Sequence, residues 1–241
     1  MTSDIDLFSK GRGFPMDHLS PSFVKKYEDC PLAALYYREN KPKVWDPRYA
    51  EIGRYTHSVL EKKYNPDASI YRPSCPVDEM MQTRHNMSIR GFETLTKQDD
   101  RFRPRSPEKP RTHHPEVNVR VDIAGVPMMG IIDLLTIRGH SVYIDDWKTG
   151  LYKAADEQQI RIYTYMVSRI FDIPPRDITS TLIYLREDPK KIQRHVGFTS
   201  KQSIEHHIVE DVIKPISDLQ FNPNVGRGCD RCEYRHICEA W

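Results

Sequence analysis

The chain has 241 residues, 38% of them hydrophobic and 29% charged, enough apolar material for one sizeable core. A formal net charge of +2 gives no global field for a polyanion, and no apolar run approaches the length of a membrane-spanning helix. Five cysteines are an odd number, which argues against a complete disulfide framework.

The N-terminal stretch Met1–Phe14 lacks the apolar run of a secretory signal. The expectation is a cytoplasmic protein whose mature chain starts at or near Met1.

Ser20 followed by Pro21 reads as an N-cap and first helical residue. Phe23, Tyr27, Cys30, Ala34 and Tyr37 then recur at helical spacing, with Pro31 marking a break or the first turn of a second helix. A further helix spans Tyr49 to Tyr64, with Gly53, His57, Leu60, Glu61 and Tyr64 along one face. Residues 65–115 are the least legible part, with a helix predicted around Val77 to Thr96. The segment from Arg101 to His114 holds five Lys/Arg, one Glu and three prolines. It reads equally as a solvated linker or as a basic strand-binding loop, through Arg101, Arg103, Arg105 and Arg111.

The period then changes to that of strands. Three β-rich runs, broken at Ala124-Gly125 and at Arg138-Gly139-His140, predict an antiparallel meander ending at Gly150. A helix follows over residues 154–171. Strands are predicted near Thr179–Arg186 and Ile192–Phe198, then a helix from Gln202 to Leu219. This order predicts a mixed α/β sheet covered by helices.

Asp133 lies inside the apolar run GIIDLLTI. Strict alternation puts Ile132 and Leu134 on one face, Ile131, Asp133 and Leu135 on the other, with both faces buried. A buried carboxylate needs a partner, and for a lone one a salt bridge is the ordinary answer. In the next strand Asp146 and Lys148 share a face while the adjacent Asp145 points away, towards an Arg or a helix N-terminus that would have to satisfy it. A hairpin can set Asp133 beside Asp146, and a divalent cation turns their repulsion into coordination. Hard oxygen donors suit Mg²⁺ or Mn²⁺. An Asp, then Asp-x-Lys one hairpin later, is a constellation suited to metal-assisted phosphodiester hydrolysis. His57 could complete a metal site, or simply pack. Gln159 and Tyr163, spaced i and i+4, either pack or orient Lys148.

Cys229-x2-Cys232-x5-Cys238 has metal-ligand spacing, and Cys30 is a better fourth donor than Cys75. Four thiolates suit zinc or an iron–sulfur cluster, and spacing does not choose between them. Cys75 reads as a structural or free thiol.

Together these residues resemble the RecB-like branch of the PD-(D/E)XK nucleases, most closely its iron–sulfur members. Those are CRISPR-associated RecB-like exonucleases, stand-alone viral relatives and AddB-type nuclease domains. The resemblance runs from Ser20 to Cys238, and residues 65–115 match nothing specific. Gly53-x3-His57 is similar to the first motif, Gly130-Ile-Ile-Asp133 to the second, Asp146-Trp147-Lys148-Thr149-Gly150 to the third and Gln159-x3-Tyr163 to the fourth.

The resemblance implies a restriction-endonuclease-like core with helices on both faces. His57, Asp133, Asp146 and the Trp147 carbonyl would bind the metal, Lys148 would be the catalytic lysine, and Gln159 and Tyr163 would support it. Glu116 stands where some members carry an auxiliary acid, or is a plain strand-edge glutamate. The four cysteines would hold a [4Fe–4S] cluster joining the N- and C-terminal segments. Trp147 departs from the tyrosine common before the lysine, and Asp145 from an apolar residue. The implied activity is a Mg²⁺- or Mn²⁺-dependent exonuclease on single-stranded DNA or DNA ends, in a prokaryotic cell or, for a viral protein, in the host cytoplasm, alone or with DNA-processing or CRISPR-adaptation proteins. The competing expectation is a non-catalytic DNA-binding adaptor, which the intact acid–lysine set opposes. Expected organisation is one nuclease domain over 1–241. It would comprise a helical segment 20–48, a helical and basic-loop insertion 65–115, a core 116–200 and a cluster segment 226–241.

Overall fold

The computed structural model describes residues 16–44, 46–103, 112–153, 156–186, 193–195 and 201–241. Four helices precede the sheet: α1 (Pro21–Asp29), α2 (Pro31–Arg38), α3 (Arg48–Tyr64) and α4 (Glu79–Gln98). Ser20 caps α1 by accepting the Phe23 amide at 3.1 Å, with Pro21 in the first turn. Pro31 starts α2, so the break predicted there is real and Cys30 sits at the joint.

Strands β1 (Thr112–Ile123), β2 (Val126–Arg138) and β3 (Ser141–Lys148) form the predicted antiparallel meander. Ala124 and Gly125 make the first turn, both with positive φ, as a two-residue hairpin favours. Helix α5 (Asp156–Phe171) then crosses to β4 (Ile178–Tyr184), which runs parallel to β3. A short β5 (Gln193–His195) pairs antiparallel with β4, giving a five-stranded sheet in the order β1-β2-β3-β4-β5. The last predicted helix begins as α6 (Lys201–His207), widens into a π-helical stretch Ile208–Ile213, and ends as α7 (Lys214–Ser217). Among the described residues no helix is long and apolar enough to cross a membrane.

Two apolar clusters flank the sheet. One joins α1, α5 and the α6 region to Val119, Met128, Ile132, Leu135, Ile144 and Leu182. The other joins Leu60 of α3 and Phe92 and Leu95 of α4 to Leu134, Trp147 and Ile183. Helices therefore cover both faces.

One expectation fails informatively. Ile132 and Leu135 lie in the same cluster, and Leu134 in the other, so the alternation of β2 breaks at Asp133. Ile131, expected to be buried, is 48% exposed. The reason lies across the ladder. Pairing runs Pro115↔Leu134 and Val117↔Ile132 but skips Glu116 and Asp133. Glu116 has φ 49°, a left-handed conformation that costs a non-glycine roughly 1–2 kcal/mol. Both strands turn at this pair, and both acids leave the ladder.

Candidate active site

The site is built where that ladder opens. Asp133 Oδ2 accepts the Trp147 amide at 2.6 Å, which ties β2 to β3 just past their last pair, Leu134↔Asp145. His57 comes from α3, with Nδ1 3.3 Å from Asp133 Oδ1. One ligand atom each from His57, Glu116 and Asp133 lies within 4.8 Å of the other two. From β3, Asp146 is held through Lys148, whose Nζ is 2.6 Å from its Oδ2. Lys148 also donates to Gln159 Oε1 at 2.9 Å, and Gln159 Nε2 donates to the Tyr163 hydroxyl at 3.4 Å. Tyr163 fits because β2 carries a glycine beside it. A Cβ on Gly130 would lie 2.7 Å from Tyr163 Cε1.

The electrostatics are those of a crowded acidic site. Burial pushes the Asp146 carboxyl up and the Asp133 charge adds to it, overriding Lys148, to about 6. Glu116 rises to about 7, from burial first and then Asp133, and Glu61, one turn after His57 on α3, contributes further. Its Oε1 is buried without a hydrogen-bond partner. Asp133 goes the other way. Burial alone would raise it, but His57, Lys148 and the Trp147 amide together pull it below its ordinary value. Burial would lower the His57 imidazole, yet Asp133, with Glu116 and Asp146 behind it, lifts it to about 9. Burial would likewise lower Lys148, and the carboxylates of Asp146 and Asp133 hold its ammonium well above its ordinary value. Protons on His57 and Glu116 thus occupy positions where a cation would bind.

Asp145 is fully buried on the opposite face from Asp146, and its partner is Arg101, Nη2 to Oδ1 3.3 Å. The guanidinium of Arg101 also lies over the Phe102 and Tyr143 rings. Arg101 is thus folded into the protein rather than presented in a surface loop. Arg103 is half-exposed and paired with Asp100 at 2.9 Å. Arg105 and Arg111 lie outside the described residues. Trp147 turns its indole into the second cluster, stacked 5.9 Å from Tyr64.

Apart from the acid–lysine site, Cys30, Cys229, Cys232 and Cys238 line one hollow of about 610 Å³ together with Lys26 and Tyr36. All four are free thiols, as is Cys75, which lies apart from them. Backbone amides point at three of the sulfurs: Asn224 at Cys30 (3.5 Å), Gly226 at Cys229 (3.4 Å) and Tyr234 at Cys232 (3.5 Å). Burial raises the Cys232 thiol, and the other three cysteines raise it further.

The sequence does not single out Asp156. It is buried in the first turn of α5, three residues before Gln159, where it accepts from Lys25 and from the Tyr184 hydroxyl. An acid in a first helical turn ordinarily reads as a match to the helix dipole, which hides such a role.

The model of the PD-(D/E)XK nuclease superfamily matches residues 18–239. The chain belongs to the PD-(D/E)XK nuclease superfamily. Among solved structures, a protein named "putative exonuclease" from Eubacterium rectale is similar at 16% identity with a TM-score of 0.56, over 92% of this chain and 88% of that one. The structure of SSO0001 is similar at 16% identity with a TM-score of 0.47, over 95% of this chain and 90% of that one. No curated protein matches the sequence. PD-(D/E)XK nucleases use divalent metals, and the donors gathered at Asp133 fit one. They are carboxylates with a single imidazole, a set suited to Mg²⁺ or Mn²⁺, and one buried carboxylate oxygen among them lacks a partner.

Proposed function

We propose that this PD-(D/E)XK nuclease hydrolyses single-stranded DNA from an end, with His57, Asp133, Asp146 and the Trp147 carbonyl binding a Mg²⁺ or Mn²⁺ ion and Glu116 as an additional ligand. The observation that carries the reading is the convergence of the histidine, the acids and Lys148 at the open end of the β1–β2–β3 ladder. A cation held there supplies Lewis-acid polarisation of the phosphoryl oxygen and an acidified water. The residues do the rest. Asp133 is kept ionised and fixed by the Trp147 amide. Lys148 is held charged between Asp146 and Gln159, placed to orient a water and to neutralise charge developing on the phosphate. Tyr163 holds Gln159 in turn.

The four cysteines support a [4Fe–4S] cluster in the same proposal. Amides directed at sulfur suit thiolate ligands of a cluster. A tetrahedral zinc site, with Zn–S near 2.3 Å, needs sulfurs only about 4 Å apart. Among the described residues, only the His57–Glu116–Asp133 trio brings three ligand atoms within 4.8 Å of one another, so the thiols are spread more widely than zinc asks.

The test is Mn²⁺- or Mg²⁺-dependent degradation of end-labelled single strands by wild type, Asp146→Ala and Lys148→Ala. Cleavage by wild type alone is expected. Retained DNA binding with no metal-dependent cleavage would make the chain an adaptor. The purified protein should be brown, absorbing at about 400 nm. A colourless, zinc-containing protein would remove the cluster and leave the nuclease reading intact.

A further inference from the structure

The lysine of the site depends on a helix it does not belong to. Lys148 is aimed by Gln159, and Gln159 stands one turn into α5. That turn is anchored three times. Asp156 accepts from Lys25 of α1 through Oδ1 and from the Tyr184 hydroxyl, at 2.8 Å, through Oδ2. Gln158 Nε2 donates to Glu28 of α1 at 3.1 Å. Tyr184 is the β4 residue in register with Lys148 itself. The first turn of α5 is thereby fixed against both α1 and the strand next to the lysine. Asp156 is 4% exposed, and it reaches α1 across 131 positions of sequence.

We propose that Asp156, clamped by Lys25 and Tyr184, is a positioning residue that sets the first turn of α5 and through Gln159 aims Lys148 at the scissile phosphate. The proposal rests on the nuclease reading for its catalytic consequence, but its geometric core does not. If Asp156 merely held the fold, its loss would lower stability and leave Lys148 with Gln159. If it positions, the two losses share one route, since a lysine displaced by about 1 Å can forfeit about a hundredfold in rate.

The experiment compares Asp156→Asn, Gln159→Ala and the double variant, in the full chain. Expected is a kcat lowered by about tenfold or more in Asp156→Asn with KM for single strands little changed. The double variant should be no slower than Gln159→Ala alone, because effects carried by one route do not add. Full multiplication of the two losses would overturn the proposal. A second readout needs no catalysis: acetylation of Lys148 by limiting acetic anhydride, followed by peptide mass spectrometry. Lys148 should be labelled several-fold faster in folded Asp156→Asn than in wild type. Unchanged labelling would sink the clamp even if wild type proved no nuclease, and faster labelling without wild-type cleavage would sink the nuclease reading alone. Should Asp156→Asn fail to fold, Tyr184→Phe removes one anchor by a single hydroxyl. The same increase in labelling is expected, and its absence counts against the clamp.

Discussion

Asp145 and Asp146 are adjacent, both buried, and should respond to substitution in opposite ways. Asp145 faces Arg101, whose side chain is 13% exposed, at 3.3 Å. Asp145→Ala leaves that guanidinium inside the protein without its principal carboxylate. Breaking a buried pair from one side costs about 3–5 kcal/mol, mostly as the penalty on the abandoned charge. For a domain of this size that is a fall in Tm on the order of 10 °C. Metal affinity and the cleavage rate of the folded fraction should change little, because Asp145 lies on the far face from Lys148. Asp146 is already ionised at a cost, since burial and Asp133 raise it to about 6 from an ordinary value near 3.8. Asp146→Asn removes that cost together with the Lys148 contact, so the metal-free Tm should hold or rise while cleavage is lost. Thermal melts in EDTA beside single-turnover cleavage at pH 8 separate the two variants. The double replacement Arg101→Leu/Asp145→Leu should recover most of the lost stability, as apolar substitutes for buried pairs commonly do. An Asp145→Ala protein with unchanged Tm and no cleavage would mean that the two acids have exchanged roles, and the assignment of strand faces would fall with it.

Other predictions follow from the same geometry. Metal binding should release protons, because His57 at about 9 and Glu116 at about 7 carry them in the free protein. Calorimetry in two buffers of different ionisation enthalpy should show affinity rising between pH 6 and 9, and pH-independent affinity would contradict the ligand set. The raised His57 stabilises the metal-free fold fully below about 6.5 and loses that contribution as pH rises through about 9. Glu116 and Asp146, also raised, act in the same direction as pH climbs through about 7 and about 6, so the Tm in EDTA should fall with pH and Mn²⁺ should restore it at the alkaline end. Gly130→Ala puts a methyl 2.7 Å from Tyr163 and should slow cleavage more than it lowers Tm, as the ring yields and Gln159 loses its support. Gly91→Ala is different in kind: its Cβ would meet the Leu185 carbonyl oxygen at 1.8 Å, so α4 must lift from the sheet, at a cost of about 3 kcal/mol read by urea titration.

The sequence is legible wherever one local rule governs. Ser20 and Pro21 mark the start of α1, the period-two runs mark the meander, and Asp145 and Asp146 part by alternation. The spacing of the cysteines likewise anticipates their meeting in one hollow. What escapes is what two distant segments decide together. Alternation assigns Ile131 to the interior because it cannot register that Glu116, on another strand, adopts a positive φ and opens the ladder. Composition places Arg101 in a basic loop because its carboxylate partner lies 44 positions later, on β3. Asp156 is silent for the same reason: its partners come from α1 and β4, and neither is foreshadowed by the residues around it.

The same opening that makes the site also makes it costly to keep. Glu116 is held in a left-handed conformation, one of its oxygens is buried without a partner, and it faces a second acid, Asp133, across a gap in the ladder. None of this is stabilising without a cation, so the energy that keeps β1 and β2 together must come from elsewhere. Part comes from the two cores on either side of the sheet. Part comes from the chain ends. Glu233 takes Lys26 at 2.5 Å and Lys43 at 3.5 Å, its carbonyl accepts the Val44 amide at 2.9 Å, and Tyr234 packs edge-on against Tyr36. These contacts hold the C-terminal segment on α1 and α2, and a group bound by the four thiols would close almost the whole chain into a loop there, the arrangement in which a staple constrains the unfolded chain most. Helix α1 then carries that constraint to Asp156 and the lysine pocket, through Lys25 and Glu28. Stability supplied where the C-terminal segment meets α1 and α2 is delivered to the part of the sheet that the buried acids weaken, so Cys30→Ser should loosen the first turn of α5, seen by amide hydrogen exchange, before it loosens β4.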